Sequence, residues 1–247
     1  SCSGPKIPST ADSVILLWMA GGMAHTETFD PKAYTPFTKG VESKRVLSTF
    51  PKVPTAVDGL YFSEGLESVG SVMDRGAIIR SYRSADLGHI LHTRHQYHWH
   101  TCYEPPQSVQ MPHIGAWIAK ELGPKNDVIP PFIALGQRFT VGEAEELKAF
   151  HSAGFLGGEY GPFLIPDPSA GMQSVRPPQG MDINRFEARN KLYKELTNKS
   201  PMGDLGSDYQ KESLIRSMEQ SYRLLNSPEV KAFDLGDEPE KKYEQYN

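Results

Sequence analysis

"DSVILLWMAGG", residues 12–22, is the stretch on which the fold turns. It is an unbroken apolar run of strand length, and paired glycines close it. Its length and branched side chains suit a strand buried on both faces, as in a parallel sheet. The glycines permit a tight turn, so the next residues fall at the strand's carboxyl end, where open α/β sheets place their sites. Those residues, "MAHTETFDPK" (23–32), contain His25, Glu27 and Asp30 within six positions.

Further along, "SEGLESVGSVMD" (63–74) reads as a helix, with Ser63 as N-cap and Leu66, Val69 and Met73 as an apolar stripe. "GAIIRSY" (76–82) is a second short strand, "HIGAWIAKELG" (113–123) a helix ending at Gly123, and "PPFIALG" (130–136) a third strand. Strands alternating with helices predict an α/β fold with a doubly wound, mostly parallel sheet and flanking helices. After residue 150 the texture changes. "GFLGGEYGPFLIPDPSAGMQSVRPPQG" (154–180) reads as a long irregular loop, followed by helices over roughly 182–197 and 208–226 and a charged tail. Residues 1–11 are expected to be a flexible tail, and 12–247 a single domain with a sheet-forming part to 150 and a loop and helical part beyond. Three strands, none in the last hundred residues, make a small sheet for 247 residues.

Composition narrows the function classes. A hydrophobic fraction of 38% fits a folded chain. A net charge of −4 without a basic run leaves no footprint for nucleic acid. No apolar stretch reaches the roughly 20 residues of a membrane span. Cys2 and Cys102 permit one disulfide, which the spacing neither requires nor excludes.

Six of the eight histidines lie in residues 88–113: His89, His92, His95, His98, His100 and His113. On a helix, histidines three apart drift by about 60° per step, so they spiral and do not face one ion. The favoured i,i+4 His pair is absent, and no Cys-x-x-Cys accompanies the segment. The bland reading is surface or half-buried polar residues, against one or two functional imidazoles. For His25, Glu27 and Asp30, two readings stand side by side. An imidazole and two carboxylates suit a divalent cation, whereas Thr26, Glu27 and Asp30 also suit a turn that caps backbone groups.

Taken together, "SVILLWMAGGMAHTETFDPK", "IIRSY", "HTRHQYHWHTCY", "MPHIGAWIAKELG", "PPFIAL", "GFLGGEYGPFLIPDPS" and "VRPPQG" resemble, in order, the sulfatase-like bacterial family catalogued as domain of unknown function 1501. The resemblance spans residues 12–247. It implies an alkaline-phosphatase-like fold, the superfamily of sulfatases, phosphodiesterases and phosphomutases, and export to the periplasm or beyond. It implies a metal-dependent hydrolase of sulfate or phosphate esters acting on a small anionic ester, with zinc, calcium or magnesium as the divalent metal. His25, Glu27 and Asp30 would then be metal ligands, and His92 the nucleophile, proton carrier or ligand. Arg80, Arg94, His100 and His113 would lie on the substrate side.

Departures from the family pattern are as telling. Glu27 stands where the family has Asp, His113 at its Pro-Ser-x-Gly serine, and Cys102 at the glycine of its His-Thr-Gly. The family's Asp-Thr-His, Gly-Glu-Phe-Gly-Arg and Gly-Arg-Asp-His-Trp stretches are absent. The expectation is therefore an N-terminal half, its site completed by a C-terminal half or a second chain. The alternative is a non-catalytic structural or binding subunit that keeps the fold.

Overall fold

The computed structural model describes residues 11–19, 23–36, 38–82, 92–104, 108–136, 152–176, 180–199 and 208–246. Its contacts divide into two compact units, Ser1–Ala85 and Asp86–Asn247.

In the first unit, β1 (Lys52–Pro54) and β2 (Tyr61–Ser63) form an antiparallel pair with Val53 opposite Phe62. The turn between them carries Asp58-Gly59, with Gly59 at φ 76°. That dipeptide between apolar residues is a hairpin signal that the helix and parallel-strand pattern overlooked. The buried Phe62 ring meets Phe29 edge to face at 5.2 Å and anchors the unit.

Three expectations for this unit are corrected. Residues 11–19 lie exposed and in no strand, with Ile15 and Leu17 more than four-fifths accessible. Periodicity reads an apolar run as buried, but burial needs a sheet on either side, and the described residues supply none there. The helix expected over 63–74 shrinks to α1 (Glu67–Gly70) and a 3-10 turn at Met73–Arg75, and Ser63 ends β2 instead of capping. Gly65 at φ 95° and the low helix propensity of Gly65 and Gly70 prevent a longer helix. Residues 76–82 likewise form no strand.

The second unit opens with α2 (His92–Thr101) and α3 (Ile114–Leu122). β3 (Ile133–Leu135) pairs in parallel with β4 (Phe163–Ile165), Ala134 facing Leu164. β4 lies inside the stretch read as irregular loop, so that reading is corrected too. The coarse class stands: the chain mixes helix with strand, its sheets two-stranded among the described residues. Ala116, Ala153 and Leu156 make a buried cluster, with Trp117, Phe132 and Tyr160 packed on it.

α4 (Gly171–Ser174), α5 (Ile183–Lys199), α6 (Asp208–Leu225) and α7 (Glu240–Tyr246) complete the unit. The two long helices match the sequence expectation within a few residues. Phe186 stacks on Tyr222 at 5.8 Å, and Lys194 pairs with Glu219 at 2.9 Å. Among the described residues no helix is long and apolar enough to cross a membrane.

Candidate functional site

A 3-10 turn at His25–Glu27 begins the richest polar constellation of the first unit. Ser48, wholly buried, positions it. Its hydroxyl donates to the Thr26 carbonyl at 2.8 Å and accepts from the Lys32 amide at 2.8 Å. The Ser63 amide donates to the Thr28 carbonyl at 2.8 Å and ties the turn to β2. Both Glu27 carboxylate oxygens accept from the Thr49 amide at 3.0 Å. Glu27 therefore caps a backbone group.

Asp30 sits among cations. Its Oδ2 receives Lys32 Nζ at 2.6 Å and lies 3.5 Å from His25 Nδ1, while its Oδ1 lies 3.6 Å from Arg80 Nε. The hydrogen bond from Lys32, joined by the charges of Lys32, Arg80 and His25 and opposed by burial, holds the Asp30 carboxyl below its ordinary range. Arg80 is oriented from behind. Its Nε and Nη2 donate to the Phe29 carbonyl at 3.0 and 2.7 Å, and Nη2 also donates to the Tyr61 carbonyl at 3.1 Å.

A divalent metal was expected on His25, Glu27 and Asp30, and the side chains as folded do not fit it. Glu27 is turned to the Thr49 amide, and Asp30 is already neutralised by Lys32 and Arg80. Among the described residues no group of three His, Cys, Asp or Glu is placed to hold an ion.

Ser48→Ala should loosen this turn directly. It orphans the Lys32 amide and removes the Thr26 contact, a loss of about 1–3 kcal/mol. Chemical denaturation should show it, and an unchanged midpoint would mean the turn is held by other contacts.

The remaining sequence candidates belong to the second unit. His92 starts α2; its side chain, like all of His89, lies outside what the structure describes. Arg94 Nε and His98 Nδ1 are buried without a hydrogen-bond partner. Cys102 is a free, exposed thiol in the left-handed region at φ 62°, just past α2, and Cys2 lies outside the described residues.

His100 and His113 are both almost fully buried, their ring centroids 4.9 Å apart, with Phe132 5.0 Å from His113 on its other side. His100 Nδ1 meets the Gln96 carbonyl at 2.7 Å, which makes Nδ1 the protonated nitrogen. His113 is the N-cap of α3. Its Nδ1 accepts from the Gly115 amide at 2.8 Å, so a neutral ring carries its proton on Nε2. Burial first, then the His100 charge, pushes His113 down to about 3. Burial likewise lowers His100, against the opposing Gln96 bond. Both rings are thus neutral near pH 7. His113's Nδ1 lone pair is engaged by the Gly115 amide, which leaves it a capping group with Nε2–H as its one donor.

The comparison with family models now adds the class. A model described as "Protein of unknown function (DUF1501)" matches residues 11–247. The chain belongs to the DUF1501 family. No curated protein matches this DUF1501 chain, and neither does any solved structure.

One polar cluster escaped the sequence reading altogether. Glu159, buried within "GGEYG", accepts from the buried Ser213 hydroxyl of α6 and lies 3.8 Å from Arg216 Nη1. Nothing in the spacing links positions 54 apart. Only the pairing of α6 with that loop reveals it.

Proposed function

We propose that this DUF1501 chain serves the hydrolysis of small anionic esters, sulfate or phosphate, in an alkaline-phosphatase-like framework and after export from the cell. The observation that carries the reading is the Asp30–His25–Arg80 arrangement. Asp30 faces His25 Nδ1 at 3.5 Å, which leaves His25 Nε2 on a largely exposed ring, available to take or give a proton. Arg80, held from behind by the Phe29 and Tyr61 carbonyls, keeps Nη1 for an anion. The parallel β3–β4 pair agrees with the framework, and the family membership agrees with the resemblance that suggested it. A divalent ion would have to displace Lys32 from Asp30 before it met that carboxylate.

The non-catalytic subunit is the second reading. It is favoured by the engagement of both carboxylates of the turn within the fold.

Hydrolysis of p-nitrophenyl phosphate and p-nitrophenyl sulfate, with chelator and with zinc, calcium or magnesium added in separate arms, separates the two. Under the hydrolase reading, His25→Ala lowers kcat by about 10²-fold or more, whereas Arg80→Ala acts chiefly on KM. The absence of turnover in every arm, or turnover indifferent to His25→Ala, leaves the subunit reading standing.

A further inference from the structure

α5 turns one face to α6 and the other to solvent. Phe186 stacks on Tyr222, Glu187 accepts from the Tyr222 hydroxyl at 2.8 Å, and Lys194 pairs with Glu219, so these positions mark the inner face. On the other side Leu192 and Leu196, one helical turn apart, are 54 and 59% exposed, with Tyr193 40% exposed beside them. Arg185, Arg189, Lys191 and Lys199 are exposed as well. At about 100° per residue, Arg185, Arg189 and Lys199 fall within about 60° of Leu192, and Lys191 and Tyr193 take its two flanks. Of the two carboxylates of α5, Glu187 is engaged with Tyr222, and Glu195 alone lies near these cations. The whole chain carries −4, so this stripe is a local reversal of sign.

We propose that this face of α5 binds an anionic lipid surface, the helix lying in the plane of the headgroups. Size favours lipid over a protein partner. Leu192, Tyr193 and Leu196 together expose roughly 300 Å² of side chain, well under the about 800 Å² per partner of a stable protein interface. A bilayer boundary sets no such threshold. It takes in short apolar side chains while the Lys and Arg stems run along it and hold their charges at the phosphates.

Charge supplies what the small apolar area lacks. Each cation held near an anionic surface is worth about fivefold in affinity, so the four on this face outweigh the repulsion of Glu195. Arg185 and Lys199, about 21 Å apart along the axis, meet headgroups at the two ends of the stripe, with the leucines between them. Phe186 and Lys194 stay on α6 throughout, so docking needs no rearrangement of the helix pair.

Cosedimentation of the 247-residue chain with vesicles tests this, using phosphatidylcholine alone and phosphatidylcholine with about one quarter phosphatidylglycerol. Binding to the anionic vesicles and not to the neutral ones is expected, and it should weaken as salt rises from about 0.1 to about 0.5 M. Arg185→Gln with Arg189→Gln should weaken it by at least about tenfold, and so should Leu192→Gln with Leu196→Gln. Lys44→Gln with Arg75→Gln removes the same charge from exposed positions of the first unit and should change binding by less than about threefold. Circular dichroism should show all three variants folded. The proposal is overturned by no binding to anionic vesicles, by equal binding to neutral ones, or by a control pair as damaging as the α5 pairs. Capture by polyglutamate without vesicle binding overturns it in favour of an acidic protein. A dimer in light scattering that the leucine pair abolishes, again without vesicle binding, overturns it in favour of a second copy.

Discussion

Lowering the pH from 7.5 to 4 is expected to destabilise the second unit, and His113→Asn is expected to remove a large part of that dependence. In the unfolded chain His113 takes up its proton near pH 6.5; in the folded chain it does so only near pH 3. Between those values the unfolded state binds one more proton. Stability is therefore complete above pH 6.5 and falls as the pH drops toward 3. Each pH unit of the window costs about 1.4 kcal/mol, so the full loss is about 5 kcal/mol. The physical cause is that a charged His113 would be buried beside His100 and Phe132 and, with both ring nitrogens protonated, could no longer accept the Gly115 amide at Nδ1. His100, lowered by burial in the same direction, adds to the slope. Asparagine keeps an oxygen for the N-cap and has no proton to gain. Urea unfolding at pH 7.5, 5.5 and 4.5, followed by circular dichroism, should show a flatter dependence for His113→Asn than for the parent. Equal slopes would mean that His113 is not the buried neutral ring described here.

Gly154→Ala should be the most damaging small substitution in the second unit. The residue sits at φ 54°, which costs an L side chain about 1–2 kcal/mol. A methyl there would also lie 2.4 Å from the Gln110 carbonyl oxygen and 2.6 Å from Met111 C and Pro112 N. Those atoms are backbone, and they lead directly into the His113 cap and α3, so they have little freedom to retreat. Strain and overpacking together should cost about 3–5 kcal/mol. Gly136→Ala is the control. It has a similar φ of 69° with nothing within 4 Å of the added methyl, so the cost should stay near about 1–2 kcal/mol. If the two variants melt alike, the close approach at Gly154 is not real and only its backbone conformation matters.

The same buried histidines show how far sequence reading reaches into a site. The density of imidazole in residues 88–113 was visible at once, and the helical drift argued against one ion collecting it. That His113 caps a helix was hidden, because a histidine N-cap lacks the preference that marks Ser, Thr, Asp or Asn. The turn at His25–Asp30 was legible as a polar cluster, and both its metal and capping readings were on the table. Lys32 and Arg80 decide what faces Asp30, and the second of these is 50 positions away.

The sequence by itself determined the long amphipathic helices α5 and α6, the nine-residue α3 closed by Gly123, and the strand at 133–135. Those elements are specified by local period and capping chemistry, which need no distant partner. The tertiary structure alone decided the fate of residues 12–19, the β1–β2 hairpin, the β3–β4 pairing and the Glu159–Ser213 contact. An apolar run states that a segment should be buried. Whether it is depends on the strands and layers available to cover it, and those are set by contacts between residues far apart in the chain.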